Sequence, residues 1–185
     1  MTSYYPPCPE LDVAEWINTP EPVRLAALRG RVVLLHAFQM LCPGCITHGL
    51  PQAVRVSQAF APGDVAVIGL HTVFEHHAVM TPAALRAFAG EFRYRFPIGI
   101  DRPRPGESIP ATMHALQLGG TPSAVLLDRE GRVRLHHLGQ IEDLALGACI
   151  GRLLAETPPA GAHHGTPAGD NADEKDCGPS GCRIG

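Results

Sequence analysis

AFQMLCPGCITHG, residues 37–49, carries two of the six cysteines of this chain, Cys42 and Cys45, with only Pro43 and Gly44 between them. Its neighbours decide how the pair is read. Upstream, VVLLHAF (32–38) is a continuous apolar run, β-branched at its start, which predicts a strand buried on both faces. Downstream, LPQAVRVSQAF (50–60) places Leu50, Ala53, Val54 and Val56 on one helical face, with Phe60 further on, until APGD stops it. Cys42 therefore falls just past the carboxyl end of a buried strand, where a helix begins. Open α/β sheets place their chemistry at that position.

The rest of the chain fits the same scheme. RLAALRG (24–30) reads as a short helical turn closed by Gly30, and VAVIGL (65–70) as a second buried strand. Thr81 and Pro82 predict an N-cap and first helical residue, with Leu85, Phe88, Ala89 and Phe92 on the buried face. FPIGID (96–101) reads as a short strand and residues 110–117 as a short helix. SAVLLD (123–128) and RVRLHHL (132–138), joined by a turn, predict an antiparallel hairpin, and residues 144–156 a terminal helix. This order predicts an α/β domain over residues 11–156, a mixed central sheet with helices on both faces. Residues 1–10, with Pro6, Pro7 and Pro9, read as an extended lead-in. Residues 157–185, rich in Gly, Pro and Asp, read as a flexible tail.

Composition narrows the function classes. Apolar residues make up 45% of the chain, enough for a real core, while the formal net charge is −3 with Lys175 the one lysine. No basic stripe marks a nucleic-acid surface. No apolar run reaches the roughly 18 residues of a membrane span, and the first residues lack a basic and apolar leader pattern. A cytoplasmic protein is expected, and in that compartment a C-x-x-C is more often catalytic or metal-binding than a permanent crosslink.

Two cysteines at this spacing, at the start of a helix, suit disulfide exchange. The thiolate is the nucleophile, helix N-termini favour anions, and the first thiol of a C-x-x-C titrates below the free value of about 8.5. One helical turn folds the second cysteine back beside the first, so the pair closes a disulfide. A zinc clip needs two further ligands, for which Cys177 and Cys182 are the candidates. A peroxidatic cysteine wants Thr or Ser three residues upstream and Pro before it, where Gln39 and Phe38 stand.

A CxxC after a buried strand, Gly-Thr-Pro about 80 residues later, and this element order together resemble the thioredoxin fold. RLAALRGRVVLLHAF, IGLHTVFE (68–75) and TPSAVLLDREGRV resemble stretches of the TlpA/ResA-like redoxins of the AhpC/TSA type, over roughly residues 9–155. The resemblance implies a thiol–disulfide oxidoreductase with no cofactor beyond the redox-active pair. In it Cys42 would attack, Cys45 resolve, and Pro122 be a cis-proline, with Pro43, Gly44, Thr121 and Pro122 meeting the substrate. Partners would be a thiol- or disulfide-bearing protein or small molecule and a separate electron donor or acceptor. Leu41 replaces the usual aromatic before the first cysteine, and His36 stands where thioredoxins keep a buried acid.

His36 is either a satisfied core residue or a proton acceptor for Cys45. His71 and Glu75, past the second buried strand, are candidates for an acid or base near the pair, and His48 for charge stabilisation. Adjacent histidines such as His76-His77 and His136-His137 point to opposite faces on a strand, so solvation is the better reading than chelation. Cys177 and Cys182 form a second dithiol that a tail of about 20 residues would carry to the site at high effective concentration, a relay. Cys149 reads as packing, and Cys8 has no assignment. A thiol peroxidase and a metal-binding module built on Cys42, Cys45, Cys177 and Cys182 are the alternatives.

Overall fold

All seven residues of the strand that precedes the cysteines are buried, and the sheet is built outward from it. The computed structural model describes residues 5–156; the expectations for the tail, Cys177 and Cys182 included, lie outside the described residues. In chain order the elements are β1 (Val13–Ile17), a 3-10 turn (Leu25–Leu28), β2 (Val32–Phe38), a π turn (Cys45–Gly49) and α1 (Leu50–Ala59). There follow β3 (Val65–His71), α2 (Pro82–Glu91), β4 (Ile98–Asp101), α3 (Ala111–Ala115), β5 (Ser123–Leu127), β6 (Val133–Leu138) and α4 (Asp143–Ala155). The sheet runs β1-β4-β3-β2-β5-β6. β2 pairs in parallel with β3 and antiparallel with β5, and β5 and β6 form the expected antiparallel pair.

Alternation along β2 explains why both its faces are covered. Val32, Leu34 and Phe38 point to the side packed by α1, α2 and α4. Val33, Leu35 and Ala37 point to the side closed by the 3-10 turn, α3 and the first residues of the chain. Each large side chain removed from water here contributes about 1.5–3 kcal/mol. The mixed sheet with helices on both faces is thus a thioredoxin-like architecture.

Three features differ from the sequence reading or add to it. β1 is an edge strand whose VAEWI sequence lacks a long apolar run; it pairs antiparallel with β4 and sets Trp16 opposite Gly99. A Cβ on Gly99 would lie 3.2 Å from the Trp16 ring, so the bare backbone seats the indole. Residues 5–10 are extended as expected, yet they also lie along the hairpin: Cys8 N–H donates to Gly131 O at 2.9 Å and Val133 N–H to Pro6 O at 2.9 Å. Cys8 is thereby buried beside Leu25 and Leu28, and burial pushes its thiol up to about 11. Phe92, expected on the buried face of α2, is 51% exposed. It sits at the C-cap, where the helix has ended, and stacks on Tyr94 at 5.7 Å between ring centroids.

Two side chains fix helix starts. Thr81 caps α2, accepting from Ala84 N–H at 3.2 Å, as the Thr-Pro pair predicts. Asp101, 3% exposed at the end of β4, accepts from Thr112 N–H at 2.7 Å and Met113 N–H at 2.9 Å. Removing the first loses one part-buried bond, whereas removing the second strands two buried donors. Urea unfolding should therefore show Thr81→Ala losing about 1 kcal/mol and Asp101→Ala at least about 2 kcal/mol; equal losses would contradict this ranking.

Candidate active site

β2 ends at Phe38, and the next residue organises the turn that carries the cysteines. The carbonyl of Gln39 accepts Cys42 N–H at 3.2 Å, and the carbonyl of Cys42 accepts from Cys45 N–H at 3.0 Å and Ile46 N–H at 3.1 Å. This opens the helix directly after Cys42. Pro51 then intrudes: it has no N–H, and its ring crowds the carbonyl four residues back. The helix takes a single π turn ahead of it, with Leu50 N–H donating to Cys45 O. Such turns concentrate at functional sites.

The two sulfurs have different surroundings. Cys42 is half-buried, and its Sγ accepts Cys45 N–H at 3.3 Å while lying 3.5 Å from Thr121 O. Cys45 is wholly buried. Burial, then its hydrogen bond with Cys42, pushes its thiol up to about 12. Both are free thiols here. One sulfur is thus open to attack a partner, and the other is held protonated behind it.

Thr121–Pro122 is cis, as expected. The Pro122 ring lies over the cysteine turn, touching the space that a Cβ on Gly44 or Gly49 would fill, at 3.2 Å in each case. Gly49 has another neighbour. A Cβ there would fall 2.3 Å from His36 Nε2. The imidazole of His36 therefore reaches the π turn through a gap only glycine leaves.

His36 is 3% exposed, and its Nε2 has no hydrogen-bond partner. Burial pulls its titration down to about 4, so the ring is neutral near pH 7. It borders a cavity of about 140 Å³ that His48, Gln52, Glu142 and Asp143 also line. Of the remaining candidates, Glu75 is exposed and lines a groove of about 210 Å³ beside Cys42, with Gln39, Leu41, Pro43, Phe74, His76, Met80 and Thr121. His71 does not line that groove. It is buried against the Phe38 ring at 5.3 Å between centroids, its Nε2 also unpartnered, and burial pulls it down to about 4. His48 is exposed, 2.7 Å from Thr47 Oγ1. Cys149 packs at the edge of the core on α4 and does not line the groove beside Cys42.

The structure thus gathers Cys42, Cys45, Pro43, Gly44, Thr121 and Pro122 at one place, sets Glu75 on the groove wall and His36 behind the turn. Sequence reasoning missed Gln39 and Gly49. A glycine inside an otherwise helical segment was the one signal available for Gly49. For Gln39 there was none, because its contacts lie 35 and 36 residues away.

No known family profile matches the chain. A crystal structure of a thioredoxin-like superfamily protein is 50% identical, with a TM-score of 0.81, covering 83% of this chain and 99% of that one. That of a thiol-disulfide isomerase from Corynebacterium glutamicum is 52% identical, with a TM-score of 0.79, covering 82% and 97%. Protein DipZ from Mycobacterium bovis is 28% identical over 149 residues, 80% of this chain. The chain spans about a fifth of the length of that relative, 20%.

The His36 environment carries two expected outcomes. His36 and His71 titrate lower in the fold than the ordinary 6.5, so the unfolded chain binds more protons between pH 6.5 and 4. Their stability contribution is complete above pH 6.5 and is lost as pH falls toward 4. Per group, the slope approaches about 1.4 kcal/mol per pH unit. Unfolding titrations of His36→Asn should be shallower than the native protein by one such proton; parallel curves would refute the assignment. Gly49→Ala should destabilise by about 1–3 kcal/mol, and less so in a His36→Ala background, which a double-mutant cycle measures.

Proposed function

The chain belongs to the thioredoxin-like superfamily, and from that premise we propose that it is a thiol–disulfide oxidoreductase in which Cys42 and Cys45 carry the exchange, without an organic cofactor or metal. The observation that carries this reading is the unequal pair: an accessible Cys42 sulfur and a buried, protonated Cys45 sulfur behind it.

In the reducing direction the Cys42 thiolate attacks one sulfur of a substrate disulfide. The Cys42–substrate bond forms, the substrate S–S bond breaks, and the departing sulfur takes a proton. Cys45 then gives up its proton and attacks Cys42 Sγ, which releases the second substrate sulfur as a thiolate. Two electrons have passed to the substrate, and Cys42 and Cys45 share a disulfide. The same steps reversed oxidise a dithiol. A cytoplasmic setting would run the cycle in the reducing direction.

The second step needs a base. Burial, the largest cause of the raised Cys45 titration, persists when Cys42 is in the mixed disulfide and disfavours the attacking thiolate. His36 is the proposed acceptor, a neutral imidazole with an unpartnered Nε2 against the same turn. Because burial disfavours its charged form, it passes the proton toward the polar-walled cavity rather than storing it. Glu75, on the groove wall, is the proposed second acid–base group, for the departing substrate sulfur. His71 lies off the groove, and the reading gives it no step.

A thiol peroxidase reading lacks such support: it would place Thr or Ser at Gln39, whose side chain is instead held by the backbone of Phe74 and Glu75. A metal module would need Cys177 and Cys182 beside Cys42 and Cys45, and the first two lie outside the described residues. The relay through Cys177 and Cys182 remains part of the proposal for the full chain.

Mass spectrometry of quenched reactions with a protein disulfide tests the cycle. Cys42→Ser should abolish reduction, and Cys45→Ser should accumulate the mixed disulfide on Cys42. His36→Leu should slow its resolution by at least about 10²-fold, the low end of general-base effects. Full turnover by Cys45→Ser would sink the two-cysteine scheme, and a Cys177-to-Cys42 linkage in the native chain would support the relay.

A further inference from the structure

Gln39 is 3% exposed, and its side chain binds a loop far from it in sequence. Its Oε1 accepts from Phe74 N–H at 3.2 Å and Glu75 N–H at 3.3 Å. Two main-chain donors on one oxygen fix which end of the amide is which. Oxygen faces the loop, so the nitrogen end is free to donate elsewhere. Nε2 takes no acceptor among the described residues, and the residue lines the groove beside Cys42.

The remaining walls say what that donor meets. Leu41, 58% exposed, Phe74 and Met80 offer apolar surface. No lysine or arginine lines the groove, and Glu75 does. A small disulfide carrying several carboxylates meets a like charge there, with the imidazole of His76 the one basic side chain on that wall. A neutral main-chain carbonyl meets a neutral amide donor, with apolar contact for the side chain next to it.

We propose that Gln39 is a specificity-determining residue, whose Nε2–H donates to a main-chain carbonyl beside the attacked cysteine and so favours apolar-flanked polypeptide disulfides over small ones. The proposal rests on the disulfide-exchange reading of Cys42. Gln39 thereby has two roles that separate cleanly: its oxygen tethers the loop, and its nitrogen reads the substrate. Loss of one neutral hydrogen bond corresponds to about a threefold to tenfold change.

The test compares kcat/KM for two oxidised probes. One is a synthetic peptide with blocked termini and a disulfide flanked by leucines; the other is 2-hydroxyethyl disulfide, small and neutral. Gln39→Glu keeps an oxygen for both loop N–H groups and removes the amide donor; Gln39→Met removes both. Each rate is divided by the iodoacetamide alkylation rate of Cys42 in the same variant, which corrects for altered sulfur reactivity. The peptide-to-small-disulfide ratio should fall about threefold to tenfold in both variants. An unchanged ratio in Gln39→Glu, with or without a fall in Gln39→Met, would overturn the donor role. A native protein that reduces neither probe would overturn the exchange reading itself.

Discussion

The contact among His36, Gly49 and Pro122 is the constraint on which the site depends. β2 delivers an imidazole to the underside of the cysteine turn, and β5 begins just after a proline ring that lies across it. Both meet at a helical residue with no side chain. A Cβ at Gly49 would lie 2.3 Å from His36 Nε2 and 3.2 Å from Pro122, so the imidazole or the turn would have to shift, beside the carbonyl of Thr121 that lies 3.5 Å from Cys42 Sγ. Protein interiors are packed closely enough that such a displacement is not absorbed locally. The π turn belongs to the same arrangement, since it lets Pro51 follow without breaking the helix that holds both sulfurs.

That packing also sets the electrostatics. Low solvent access holds Cys45 protonated and His36 neutral, opposite titration directions with one physical cause. A buried cysteine is a poor competitor for substrates, and in the proposed cycle it acts only when its neighbour has already been trapped. A buried neutral histidine is compatible with a fully apolar strand in a way that a permanent carboxylate would not be without a partner.

Much of this was legible in the chain. The run Val32–Phe38 announced a central strand because both its faces are covered, so no polar alternation interrupts it. Thr81 and Pro82 announced a helix because capping is local chemistry. The cysteine pair and Thr121-Pro122 were legible through their resemblance to a known arrangement. What stayed hidden was non-local. β1 is half polar because an edge strand covers only one side, and Phe92 carries a helical period one residue past the helix that would have buried it. Gln39 looked like an absence, the place where a peroxidatic threonine was missing. Its meaning lay in a loop that only the fold brings near.

The chain has one tryptophan, and it is Trp16, seated on Gly99 at the β1 edge. Three strand spacings separate β1 from β2, about 14 Å. Indole emission in this protein therefore originates far from the sulfurs, where Trp16 packs partly buried against the core face closed by the 3-10 turn and α3. Fluorescence reports the docking of the sheet's outer edge, and an optical signal that fades there before activity does would mark the edge peeling away from a still intact centre.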